Sequence, residues 1–211
     1  MAMSATRFEI RLRRPLADGA KFGDVGPYEE LKGRLHFELD PLHPANERIT
    51  DVRLAPRNAA GRVEFSADVS VLLPVDRERC AGGLLLDVVN RGNTVTVPNF
   101  NHATRPAFGP TSDPDPPIDT GDGFLMRRGF AVISCGWQVD VPMVAGLLRL
   151  HGPEALDHGR PITGRVYTQL QATRDVREFL LSDRGHLAYA AADVDEAGAV
   201  MTVHEIGRAH V

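Results

Sequence analysis

The residues best placed to do chemistry are Asn90-Arg91-Gly92-Asn93. They follow the apolar run Leu84–Val89 directly and precede a long loop. A turn at the end of a buried strand can present backbone N–H groups to a developing oxyanion. Glycine at position 92 would let the backbone come close to a substrate oxygen. The competing reading is a plain turn, since Asn and Gly are turn residues. A second stretch, Gly136-Trp137-Gln138-Val139-Asp140, follows the next apolar run, Ala131 to Ser134. Open sheets build their sites at the carboxyl ends of strands, so Trp137 is a candidate wall of a substrate cleft. The competing role for this tryptophan is a core or interface anchor.

Other chemistries lack their residues. A nucleophile elbow, Gly-x-Ser-x-Gly, holds a serine on a strained strand-to-helix turn. None of Ser4, Ser66, Ser70, Ser112, Ser134 and Ser182 has that setting, so no catalytic residue is assigned. Ser134 and Cys135 end an apolar run and read as core residues. His102, His151, His158 and His186 are scattered, and no His-Glu-x-x-His is present, so no metal ligand is assigned. Asp113, Asp115, Asp119 and Asp122 lack the spacing of a calcium loop and read as a solvated acidic loop. There is neither a P-loop nor a Gly-x-Gly-x-x-Gly, and no cofactor is expected.

The elements that must position these residues come in two textures. Val63, Phe65, Ala67, Val69 and Val71 alternate with Glu64, Ser66, Asp68 and Ser70. The same period of two runs through Phe8, Ile10 and Leu12, through Leu35, Phe37 and Leu39, and briefly through Val52 and Leu54. It predicts strands with one core face and one wet face. Turn residues at Asp18-Gly19, Gly26-Pro27, Asp40-Pro41 and Gly61 separate them. From Gly82 onward the apolar runs are continuous, the habit of strands buried on both faces of a parallel sheet. Asp119 to Arg128 predicts a helix capped by Asp119 or Thr120 and closed by Gly129. The connection from Arg91 to Pro117 carries six prolines and is long for a plain loop. Further on, Val176, Phe179 and Leu180 share one helical face, and Gly198 to Val203 reads as a strand. The division is a β-rich extension over 1–80 and the start of an α/β domain over 81–204.

Composition narrows the function classes. The chain has 211 residues, with 24 Lys and Arg against 28 Asp and Glu, for a net charge of −4. That balance gives no electrostatic reason to expect a nucleic-acid partner. Cys80 and Cys135 cannot make a disulfide framework. No apolar run approaches the length of a membrane span, and Met1 to Leu16 has no signal-peptide core. A cytoplasmic setting, with no membrane partner, is the expectation.

The order and spacing of several stretches resemble a family of bacterial α/β-hydrolase-domain proteins. They are Phe22–Glu29, His43–Asn46, Leu54–Asn58, Val63–Asp68, Asp87–Asn93 and Gly123–Phe130 running on to Gly136–Gln138. The resemblance covers most of the chain up to about residue 204. It implies a serine-hydrolase-type fold with a β-rich N-terminal extension, acting on an ester or acyl substrate. Members resemble one another in a later Gly-x-Ser-Gln-Ser-Gly-Arg elbow, followed by an acid and a histidine. This chain shows none of these, so only Asn90 to Asn93 carries over.

The stretch Glu205–Val211 back-translates into one reading frame of a common sequencing adapter, so 205–211 is expected to be an artefactual tail. The expected fold class is α/β with a β-rich N-terminal extension, an incomplete α/β-hydrolase-like fold. The expected function is the N-terminal fragment of a serine-type hydrolase of a small ester-like substrate, inactive by itself. The alternative is a non-catalytic β-rich binding module.

Overall fold

The computed structural model describes residues 2–105, 113, 115–165, 167, 178 and 200. Alternating sequence builds the first part: β1 (Met3–Pro15), β2 (Lys21–Phe22), β3 (Gly26–Leu39) and β4 (Val63–Pro74). Then come β5 (Leu84–Val88), α1 (Thr96–Phe100), α2 (Phe124–Arg127), β6 (Ala131–Cys135) and β7 (Leu150–His151). A small hairpin of β8 (Leu156–Asp157) and β9 (Arg160–Pro161) follows.

One seven-stranded sheet runs β1-β3-β4-β6-β5, with β2 on β3 and β7 on β4. Every pair in it is antiparallel except β5 with β6. The sheet therefore crosses the division drawn near residue 80. The first of its two faces carries Tyr28, Leu72, Val132 and Leu85, and packs on Leu16, Phe22, Val97, Leu125 and Met126. The second face is apolar from Leu35, Phe37 and Phe65 through Val69 and Val71 to Ile133 and Leu86. Its far end is closed by the cluster of Leu39, Val52 and Val63, beside the stacked rings of Phe37 and Phe65.

This architecture corrects the expected α/β-hydrolase-like fold. The molecule is a β-rich mixed sheet, and its described α-helices are only five and four residues long. Both apolar runs are strands, and Ala131, Val132 and Ser134 of β6 are buried on both faces as expected, but β5 is not covered on both sides: Leu84, Leu86 and Val88 are each 63% exposed. The helix expected over 119–128 shrinks to Phe124–Arg127 because Asp119 caps nothing helical. Its carboxylate accepts from the backbone N–H of Gly121 and Thr104 instead, and these bonds hold its pKa below the usual value. The C-terminal end is as expected: Gly129 N–H donates to Met126 O and Phe130 N–H to Leu125 O, closing the helix.

Val52 to Leu54 is a 3-10 turn, not a strand, and Val52 is buried alone against Leu39 and Val63. Nor is the polar face of β4 wet throughout, since Ser66 and Ser70 are buried. Among the described residues no helix is long and apolar enough to cross a membrane. The helical face at Val176, Phe179 and Leu180, the Gly198 to Val203 strand (Val200 apart) and the 205–211 tail lie outside the described residues.

Gly33 sits inside β3 where β1 shifts register between Ile10 and Leu12. A Cβ there would lie 2.0 Å from the carbonyl oxygen of Glu9. Glycine is the residue that lets two backbones approach so closely. Gly33→Ala is expected to cost about 2 kcal/mol or more, because the strands must part. A urea midpoint unchanged by the substitution would contradict this contact.

Candidate functional site

Because β5 and β6 are parallel, their carboxyl ends lie side by side, and the two stretches singled out by sequence emerge together. Asn90 and Asn93 exchange both backbone hydrogen bonds, at 2.9 and 3.0 Å. Arg91 and Gly92 between them have φ of 51° and 86°. Positive φ at both central positions is the habit of a tight two-residue hairpin turn.

Two contacts tie this turn to the loop after β6. The Arg91 guanidinium donates to both Asp140 carboxylate oxygens, at 3.0 and 2.9 Å. The Trp137 indole N–H donates to Val89 O at 2.7 Å. The Trp137 ring is nevertheless 53% exposed, so it is held at one edge and open to solvent. Asn90 is exposed too, Arg91 and Asn93 are half-buried, and Gly92 is buried. A Cβ on Gly92 would lie 2.7 Å from Val141 and 3.0 Å from Leu147. The glycine thus serves the packing of the turn against the 141–148 segment. Leu148 N–H also donates to Gly92 O at 2.9 Å.

Beneath the turn lies a buried polar pair that the sequence reading passed over. Asp87 is 2% exposed. Its Oδ2 accepts from Ser134 Oγ at 2.9 Å and from Val95 N–H at 3.1 Å, pinning the chain just after the turn. The signal for it was present: an acid alone in a six-residue apolar run, Leu84 to Val89. Ser134 is buried with its hydroxyl committed to this carboxylate, and neighbouring Cys135 has its thiol pKa pushed up by burial and then by Asp68. A thiol so shifted is a poor nucleophile.

On the same sheet face, Glu30 is buried and paired with Arg14 Nε at 2.7 Å and Lys32 Nζ at 3.3 Å. Arg14 also donates to the carbonyls of Asp115 and Pro116, at 2.9 and 3.0 Å. These bonds hold the proline-rich connection against the sheet. Of the scattered histidines, His151 lies 2.8 Å from Asp68, which also pairs with Arg34. The period-two signal for this cluster was Lys32, Arg34 and His36 alternating with Leu31, Gly33 and Leu35. His158 is on the β8–β9 hairpin beside Asp157, His102 follows α1 with a φ of 52°, and His186 lies outside the described residues. Among the described residues no group of three or more His, Cys, Asp or Glu could hold a metal ion.

Compared with protein-family models, curated proteins and solved structures, the chain matches none.

Proposed function

We propose that this chain supplies the substrate-side platform of a serine-type hydrolase acting on an ester or related acyl compound. The observation that carries the reading is the meeting of the Asn90–Asn93 turn and the Trp137 loop at the carboxyl ends of β5 and β6. The motif order resembling hydrolase-domain proteins supports it. In such chemistry a serine, assisted by histidine, attacks the acyl carbonyl, and fixed N–H donors hold the resulting oxyanion. This chain's share is to orient the acyl group. Asn90 offers an exposed amide at the strand end, and Trp137 offers an apolar wall beside it. The Arg91–Asp140 pair and the buried Gly92 hold the turn still between them.

No residue of this chain is assigned as nucleophile. The 211-residue chain is expected to show neither a burst nor turnover with activated esters such as p-nitrophenyl acetate. Serine-dependent turnover by this chain would sink the assignment.

A second reading, a non-catalytic binding module, rests on the long antiparallel unit of β1, β3 and β4 with its own apolar cluster at Leu39, Val52 and Val63. One sharp, reversible thermal transition of the isolated chain would favour the module. Aggregation through the open edge of β5 would favour the platform.

A further inference from the structure

We propose that the loop of residues 136–149 seats this protein on a neutral lipid surface, through the exposed side chains of Trp137, Val139 and Met143. The inference concerns binding and does not depend on the hydrolase reading, since a chain without a nucleophile can still bind a vesicle. One residue of β4 closes the neck of this loop. Gly136 N–H donates to Asp68 O at 2.9 Å, and Asp68 N–H donates to Arg149 O at 2.8 Å. The two ends of the neck touch: a Cβ on Gly136 would lie 2.5 Å from the Arg149 backbone. Loops closed in this way are compact units packed by their own side chains. Here Val141 and Leu148 are buried, and Val141 and Leu147 lie against the Gly92 turn. The loop is thus a firm support for whatever it displays.

What it displays is apolar. Trp137 is 53% exposed, Val139 54% and Met143 82%. The charged side chains of the loop, Asp140 and Arg149, are committed within the protein. Asp140 accepts two hydrogen bonds from Arg91, and Arg149 donates to Val139 O at 2.8 Å. An exposed apolar surface of this kind marks a contact with another protein or with a membrane. A protein partner fits less well, because three side chains fall short of the roughly 1,200 Å² that a stable contact buries. A lipid surface sets no such threshold: apolar side chains enter the boundary of headgroups and acyl chains in proportion to the area they bury. Tryptophan favours that depth. The Trp137 indole N–H is already satisfied by Val89 O at 2.7 Å, so the ring carries no unpaired donor into lipid. With the loop's charges paired and the chain at −4, phosphatidylcholine suits it better than an anionic lipid. A loop lying at the surface needs no spanning helix, which the described residues lack.

Trp137 is the single tryptophan of the chain, so its emission reports on the loop directly. The test titrates the whole chain with phosphatidylcholine vesicles and follows both emission and co-sedimentation. Emission is expected to move to shorter wavelength as protein sediments with the vesicles, and added salt is expected to leave the binding in place. Met143→Asp is expected to weaken binding about ten-fold or more, the ratio for losing one buried side chain of this size. Its far-ultraviolet dichroism should match wild type, because Met143 is exposed. Leu42→Asp, at an exposed leucine outside the loop, is the control and should bind as wild type does. No emission shift and no co-sedimentation would overturn the proposal. Binding that requires anionic phosphatidylglycerol would overturn it too. So would a shift that appears with protein concentration alone, which would assign the loop to a second copy. Unchanged binding by Met143→Asp, or equal weakening by Leu42→Asp, would show that the loop is not the contact.

Discussion

Tyr28→Ala is expected to destabilise the fold by about 3–5 kcal/mol, the range for emptying a large aromatic site. The Tyr28 side chain is fully buried, at 0% exposure. Its ring meets Phe22 edge-on at 5.6 Å between centroids. Its hydroxyl lies 3.1 Å from the carbonyls of both Met126 and Phe130, so a β3 residue clamps the end of α2 to the start of β6. A domain is held by only about 5–15 kcal/mol in all, so the alanine variant should lie near unfolding at room temperature. Tyr28→Phe keeps the ring and should cost about 1 kcal/mol through the lost hydroxyl hydrogen bond, since Met126 O keeps its bond from Gly129 N–H.

The same residue sets an alkaline limit. Burial, and secondarily the charge of Cys80, push the Tyr28 phenol up to about 12 from an ordinary 10.0. A folded-state value above the unfolded one stabilises fully below pH 10 and is lost as pH rises toward 12. The loss amounts to about 3 kcal/mol across that window. Urea unfolding at pH 8 and pH 11.5, beside absorbance titration of the phenolates, measures it. Equal stability at both pH values, in wild type and Tyr28→Phe alike, would contradict the clamp.

The second large effect is expected at Gly92. Valine there must hold φ near 86° and place Cβ 2.7 Å from Val141. The left-handed backbone costs roughly 1–2 kcal/mol. Overpacking adds about 1–3 kcal/mol. The expected result is local: the 141–148 segment lifts from the turn, and the Trp137 indole loses its fixed place on Val89 O. Tryptophan emission should move to longer wavelength, and proteolysis between Val139 and Leu147 should quicken. Arg91→Ala should do much less, because the Arg91–Asp140 pair is partly exposed and such pairs contribute about 1 kcal/mol or less. Emission identical to wild type in Gly92→Val would show that the glycine does not hold the turn.

Much of the sheet was legible because its period of two is written in the residues. The alternation over Val63 to Val71 is β4 itself, and the runs at Phe8–Leu12 and Leu35–Leu39 lie within β1 and β3. Register is harder to read, since it depends on local close contacts such as Gly33 against Glu9. The continuous run Leu84–Val89 implied two covered faces, yet periodicity cannot say whether a cover is supplied. The turn at 90–93 was legible from its Asn and Gly residues. Its partner Asp140 was not, because 49 residues separate it from Arg91 and no local pattern joins them. The Glu30–Arg14 pair was hidden for the same reason: Arg14 comes from β1 and also binds the carbonyls of Asp115 and Pro116, and only the folded sheet brings these together.

Sequencing the source gene beyond codon 204 tests the hydrolase-platform reading most directly. The account predicts that the frame runs on to a Gly-x-Ser-x-Gly stretch, then to an acid and a histidine that complete the site above Asn90 and Trp137. A frame that encodes Glu205 to Val211 and then stops, with no such residues, would contradict it and leave the β-rich binding module as the reading.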